Sequence, residues 1–301
     1  MSVHHLPLGG TDAPIVHHIN SLLAAILVTA CGSDGGDGAS STDAATDSHV
    51  DAPAPGGSRC AMTGSTLTCS SQAMQLGGRT VTFQHPLGTA PSTGWPTVVF
   101  YQGSFIAGSK AFAASMGDSF GQFELTSTVK ALLDRGYAVL APNAQNNGNL
   151  YWQSNVPPYA TNWSGCADDV FVTALLTAID DGTFGPLDTA RRYAMGISSG
   201  GYMTSRMAVS YAGKFRALVI EAGSYATCGQ TCNVPTLPAD HPPTLFMHGD
   251  NDTTVPLSAM TPYRDKLIVD GRTVDTIVRA GAGHEWLPEG KTAVPDWFDA
   301  H

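Results

Sequence analysis

The stretch on which the fold turns is Arg191-Arg-Tyr-Ala-Met-Gly-Ile-Ser-Ser-Gly-Gly-Tyr-Met-Thr-Ser-Arg206. A short apolar run, Tyr193 to Met195, enters the pentapeptide Gly196-Ile197-Ser198-Ser199-Gly200, and a helix-compatible segment, Tyr202 to Tyr211, leaves it. Strand, turn and helix in that order are the context in which G-x-S-x-G works as a nucleophile elbow. The turn has to hold Ser198 in a strained backbone conformation with its hydroxyl exposed. Gly196 and Gly200 keep Cβ atoms out of the space where strand and helix pass each other. Glycine is frequent here, at 33 of 301 residues, so the pentapeptide alone does not decide its own meaning.

The flanking segments repeat one alternation. Arg79 to Gln84 alternates as a half-exposed strand, and Thr97 to Tyr101 is a continuous apolar run of the kind found in buried central strands. A helical period over Phe123 to Arg135 stops at Gly136, and Tyr137 to Ala141 is again strand. Ala167 to Ile179 is helical, Arg191 to Met195 strand, and Phe215 to Ile220 and Thr244 to Met247 are further strands. Leu257 to Val269 reads as helix, Thr273 to Val278 as strand and Val294 to Ala300 as a closing helix. This order predicts an α/β fold with a mostly parallel central sheet flanked by helices on both faces.

An acid and a base stand where such a sheet would place them. His248-Gly-Asp-Asn-Asp252-Thr-Thr-Val-Pro256 follows the Thr244–Met247 strand, and Gly281-Ala-Gly-His284-Glu-Trp286 follows the Thr273–Val278 strand. Both are loops at carboxyl ends of strands, where the sites of open α/β sheets gather. The chain order Ser198, Asp252, His284 is that of the α/β-hydrolase fold. In that arrangement His284 takes the proton of Ser198 as it attacks a carbonyl, and Asp252 fixes the imidazole tautomer. Asp252 is preferred to Asp250, which is expected to bond its own turn, and His248 is expected to be structural. Two backbone N–H groups are needed for the developing oxyanion. One is expected from Ser199, and the other from the loop Gln102-Gly103-Ser104-Phe105, with Ser104 chosen over Gly103 or Phe105. Gln102 and Phe105, together with Trp152 and Trp163 of the aromatic loop Asn143 to Trp163 and Trp286 beside the base, are the residues expected to meet substrate.

Gly196-Ile-Ser-Ser-Gly-Gly-Tyr-Met-Thr-Ser-Arg-Met-Ala208, Gly213-Lys-Phe-Arg-Ala-Leu218, Ala222-Gly-Ser-Tyr-Ala-Thr-Cys228 and Tyr101-Gln-Gly-Ser104 resemble extracellular medium-chain-length polyhydroxyalkanoate depolymerases. The resemblance runs from about Arg59 onward, and it implies hydrolysis of an aliphatic polyester such as poly(3-hydroxyoctanoate). Other polyester hydrolases (cutinases and aromatic-polyester hydrolases) and feruloyl or acetyl esterases share the same machinery. An S9-type peptidase shares G-x-S-x-G-G-Y and H-G-x-x-D-x-x-V, but the chain has no room for that family's propeller. A non-catalytic surface lipoprotein would have no need of intact Ser198, Asp252 and His284.

The amino-terminal part reads differently. Ser21 to Ala30 is an apolar run too short to span a bilayer, and Val28-Thr29-Ala30-Cys31 resembles a bacterial lipobox. Residues 1–31 are therefore expected to be a signal peptide with a lipidated Cys31, although Met1 to Asn20 lacks the usual Lys or Arg. Residues 32–58, rich in Gly, Ser, Asp, Ala, Thr and Pro, are expected to form a disordered tether, and residues 59–301 the catalytic domain. Of the other five cysteines, Cys60 with Cys69 and Cys228 with Cys232 are expected to pair, leaving Cys166. No C-x-x-C pair or nearby histidine supports a metal site. Charged residues are only 13% of the chain, and the net charge of −10 argues against a nucleic-acid partner. A hydrophobic ester substrate, no cofactor, membrane contact only through Cys31 and a monomeric state are the remaining expectations.

Overall fold

The computed structural model describes residues 57–145, 150–229 and 234–301, within the compact unit Val50–His301. In chain order the strands are β1 (Cys60–Thr63), β2 (Thr66–Cys69), β3 (Gln72–Leu76), β4 (Arg79–Gln84), β5 (Trp95–Tyr101) and β6 (Ala113–Ser115). They continue as β7 (Ala138–Pro142), β8 (Leu187–Ile197), β9 (Ala217–Glu221), β10 (Thr244–Gly249) and β11 (Val274–Arg279). The helices are α1 (Gln122–Asp134), α2 (Ala167–Asp180), α3 (Ser199–Ser210), α4 (Leu257–Val269) and α5 (Gly290–Asp299).

The main sheet runs β11-β10-β9-β8-β5-β7-β4-β3. Every neighbouring pair from β11 to β7 is parallel, and β4 and β3 close the edge antiparallel. Side chains alternate across it as the pleat requires. On β5, Val98 and Phe100 pack with Leu125 and Val129 of α1 and Phe298 of α5. Val99 and Tyr101 face the other way, onto Val172 and Leu175 of α2 and Met203 of α3. Tyr202 of α3 and Met260 and Tyr263 of α4 extend that second layer over β9 and β10. Because both faces are covered, β5 reads as an unbroken apolar run.

The expected Cys60–Cys69 pair is present: β1 and β2 form a hairpin around Gly64, with the two cysteines directly opposed and disulfide-bonded. Cys166 is free and buried. Cys228 is disulfide-bonded, and Cys232 lies outside the described residues, as do the expected signal segment and almost all of the expected tether. Among the described residues no helix is long and apolar enough to cross a membrane.

Structure and sequence differ at element ends. α3 begins at Ser199, three residues earlier than its pattern indicates, because Gly200 and Gly201 are poor helix formers that packing nevertheless carries into the first turn. α5 begins four residues early, at Gly290, and contains Pro295. β3 and β6 carry no sequence signal. β3 is a largely exposed edge strand, and β6 is three residues of small side chains.

One buried histidine couples this fold to pH. His241, 6% exposed before β10, lies 2.8 Å from the Pro242 carbonyl through Nδ1 and 2.6 Å from the Tyr263 hydroxyl through Nε2. A carbonyl only accepts, so Nδ1 carries the proton and Nε2 receives the hydroxyl hydrogen bond: a neutral imidazole satisfied on both sides. Burial lowers its pKa from 6.5 to about 4. The unfolded chain therefore binds the proton first as pH falls, so this contribution is complete above 6.5 and lost as pH drops toward about 4. In urea titrations, His241→Gln is expected to lose about 2 kcal/mol less stability than the parent between pH 7.5 and 5. Equal losses would show that His241 does not titrate this way.

Candidate active site

β8 ends at Ile197 and α3 starts at Ser199, leaving Ser198 alone between them at φ 57°, ψ −123°. A non-glycine residue there stores on the order of 1–3 kcal/mol of strain, so the surroundings must hold it. They do so through hydrogen bonds from Ser198 N–H to Glu221 O (3.0 Å) and from Tyr202 N–H to Ser198 O (3.1 Å). Gly200 lies against the end of β5, where a Cβ would overlap the Tyr101 carbonyl oxygen. The helix therefore starts immediately after the serine, with its free N–H groups pointing toward the serine's end of the sheet.

The loops after β10 and β11 meet beside it. Asp252, 5% exposed, takes the N–H groups of Thr254 (2.8 Å) and Val255 (2.9 Å) on Oδ1. Its Oδ2 accepts the Nδ1–H of His284 at 2.7 Å. Gly249 makes this approach feasible, because a side chain there would overlap the Ala282 carbonyl. Asp250 does not bond its own turn as expected. Its carboxylate accepts from Gly281 N–H (2.7 Å), tying the two loops together. His248 is fully buried, donates from Nε2 to the Val255 carbonyl (2.8 Å) and is kept neutral by burial, which lowers its pKa. Glu221, also fully buried, supplies the carbonyl under Ser198 and accepts from Leu287 N–H (3.4 Å), and desolvation drives its carboxyl pKa far up.

Ser198 and His284 open onto one cavity of about 330 Å³, within the range of small-molecule sites. Its wall is mostly apolar, with Phe100, Ile106, Leu125 and Trp286, and it includes the expected Gln102, Ser104 and Phe105. Phe105 stands at the mouth, 74% exposed, and its N–H is engaged by Leu150 O (2.6 Å), which removes it as an oxyanion donor. Trp286 donates its indole N–H to Thr128 Oγ1 (3.0 Å), so it offers the cavity a ring surface only.

No protein-family model matches the chain. A poly(3-hydroxyoctanoate) depolymerase of Pseudomonas fluorescens is 47% identical over 242 residues, covering 78% of this chain and 86% of that protein. The chain belongs to the poly(3-hydroxyoctanoate) depolymerase family, a family of ester hydrolases. Among solved structures, a Bacillus cereus carboxylesterase matches with TM-score 0.51 at 14% identity over 74% of this chain and 94% of that one. TT1662 of Thermus thermophilus matches with TM-score 0.53 at 16% identity over 77% and 97%. Likeness at that identity bears on the fold, which is the α/β-hydrolase fold.

Two residues expected to meet substrate lie elsewhere in this depolymerase-family chain. Trp152 and Trp163 are buried and do not line the cavity. Trp163 packs under the Arg206 guanidinium at 4.7 Å and donates to the Tyr211 hydroxyl (3.3 Å). Trp152 is a strut: its indole N–H goes to the Gln102 carbonyl (3.1 Å) and its main-chain N–H to the Ser199 hydroxyl (2.9 Å). An aromatic-rich loop reads the same whether its rings face a ligand or a core, and here the core takes both.

Sequence reasoning missed Phe120. It sits 52% exposed at φ 62° on the cavity wall, its ring edge-on to His284 with centroids 6.4 Å apart. The dipeptide Phe120-Gly121 ahead of a helix was the available signal. Glu221 was missed too, and its trace is a carboxylate closing an apolar run.

Trp152→Phe keeps a ring in the core but deletes the indole N–H. We expect kcat on p-nitrophenyl octanoate to fall about tenfold with KM nearly constant, and stability to fall by roughly 1–3 kcal/mol. An unaltered kcat would separate Trp152 from the geometry of the serine loop.

Proposed function

We propose that Ser198, His284 and Asp252 form a catalytic triad that cleaves the ester bonds of an aliphatic polyester, a medium-chain-length polyhydroxyalkanoate, through an acyl-enzyme. The observation that carries this reading is the 2.7 Å His284–Asp252 bond beside a strained Ser198 on one apolar cavity. With Nδ1–H held by the carboxylate, the Nε2 lone pair of His284 is free to accept a proton. Ser198 Oγ attacks the ester carbonyl, its proton passes to His284 Nε2, and the carbonyl oxygen becomes an oxyanion. The N–H groups of Ser199 and Ser104 are its donors. Collapse expels the alcohol, which takes the proton from His284. Water then repeats the sequence on the acyl-enzyme and releases the hydroxyacid.

The depolymerase named among the relatives supports the choice of polyester, and so does the apolar wall that would take an alkyl side chain. No cofactor is required by this chemistry. The Cys60–Cys69 disulfide favours an oxidising compartment, so the protein is proposed to be exported, as a secreted enzyme or as a cell-surface lipoprotein anchored at Cys31. It is proposed to act as a monomer.

Ser198→Ala is expected to abolish hydrolysis of p-nitrophenyl octanoate with the fold intact by circular dichroism. Retained turnover would remove Ser198 from the mechanism. Asp252→Asn should cost about 10⁴ in kcat and Asp250→Asn far less, because only Asp252 touches the imidazole. The reverse order would move the acid to Asp250. On plates, clearing of poly(3-hydroxyoctanoate) without clearing of aromatic polyester is expected; the opposite result would transfer the protein to the aromatic-polyester hydrolases.

A further inference from the structure

Gln102 follows directly on β5 and is 0% exposed. Neither its Oε1 nor its Nε2 has a hydrogen-bond partner among the described residues. The alternation along β5 puts Val98 and Phe100 on the α1 side of the sheet, and position 102 continues that alternation onto the cavity that Phe100, Ile197, Ser198 and Trp286 line with it. Its main chain is held in place, since the Gln102 carbonyl takes the Trp152 indole N–H and Gly103 packs on Ser198. A desolvated carboxamide with both ends unmet is costly, and a buried polar group of this kind calls for a partner, which a water or a ligand group entering the cavity can supply.

We propose that Gln102 is a specificity-determining residue that recognises the 3-oxygen of the acyl group, and above all a free 3-hydroxyl. This deepens the polyester reading and rests on it. In a 3-hydroxyacyl ester one methylene separates the carbonyl carbon from the oxygen-bearing carbon. An acyl carbonyl at Ser198 keeps its 3-oxygen within the cavity that Gln102, Gly103 and Ser104 line with the serine, and the proposal places it against Gln102. A hydroxyl both donates and accepts, so it satisfies Oε1 and Nε2 together. An ether or ester oxygen satisfies Nε2 alone, and a plain fatty acyl group satisfies neither. Trp286 cannot substitute, because its N–H is held by Thr128, and His284 Nδ1 is held by Asp252. The consequence for depolymerisation is a preference for the hydroxyl-terminal unit of a chain.

The test compares p-nitrophenyl esters of 3-hydroxyoctanoate, 3-methoxyoctanoate and octanoate with the full-length protein. The expected kcat/KM order is hydroxy, methoxy, plain, with hydroxy ahead of plain by about tenfold or more. In Gln102→Met, an apolar side chain of similar length, the hydroxy-to-plain ratio should collapse toward one, whatever happens to the rate on the plain ester. A wild-type ratio near one, or a ratio unchanged in Gln102→Met, would overturn the proposal. If that variant does not fold, competitive inhibition of the wild type decides: 3-hydroxyoctanoate is expected to bind about tenfold more tightly than octanoate, and equal inhibition overturns the proposal. Failure to turn over any of the three esters would instead overturn the hydrolase reading beneath it.

Discussion

The site depends on one close backbone approach, that of Gly200 to the Tyr101 and Gln102 carbonyls at the end of β5. The contact brings the first turn of α3 against the loop that follows β5. It leaves Ser198 no route from strand to helix except through a left-handed, strained conformation. The serine, the N–H of Ser199 and the Gln102–Ser104 loop are thereby collected in one place. Any side chain at position 200 would push the helix away from the strand and disperse all three.

That approach is stabilised from outside by the segment 150–163, a strap across the second layer of the fold. Trp152 links Gln102 to Ser199, and Gln153 N–H and Arg79 share the buried carboxylate of Asp168. Arg206, on α3 itself, donates to the carbonyls of Ser154, Ala160 and Ala226 while stacking on Trp163. Aromatic area and satisfied polar groups therefore act together here. A guanidinium that is nearly fully buried is tolerable because loop carbonyls surround it.

Around the reactive groups, burial sorts the ionisable side chains. Glu221 and His248 are desolvated, which raises the pKa of the carboxyl, lowers that of the imidazole and in both cases favours the neutral form. Neither adds charge beneath the serine. Asp252 is almost as buried, but its carboxylate is engaged on both oxygens, by two backbone N–H groups and by His284. Three acid–base groups in one locality are thus assigned different roles by their partners rather than by their residue type.

Local pattern was enough for the order of the buried parallel strands and the helices, though not for the exposed β3 or the short β6, because the period of a buried strand and of an amphipathic helix is written in neighbouring residues. It was also enough to pick out Ser198, Asp252 and His284 as candidates, since each sits in a short motif at the end of such an element, and to propose pairing Cys60 with Cys69 across a tight turn. Element ends were less legible where packing overrode propensity, as at Gly200 and Gly201 in α3. Which ring faces a cavity and which a core was not legible at all. Trp152, Trp163, Trp286 and Phe120 are all aromatic residues in loops, and their surroundings come from chain segments tens of residues away. The same holds for the buried amide of Gln102 and the desolvated carboxyl of Glu221. Their meaning lies in which groups are absent or present around them, and only the packed tertiary structure decides that.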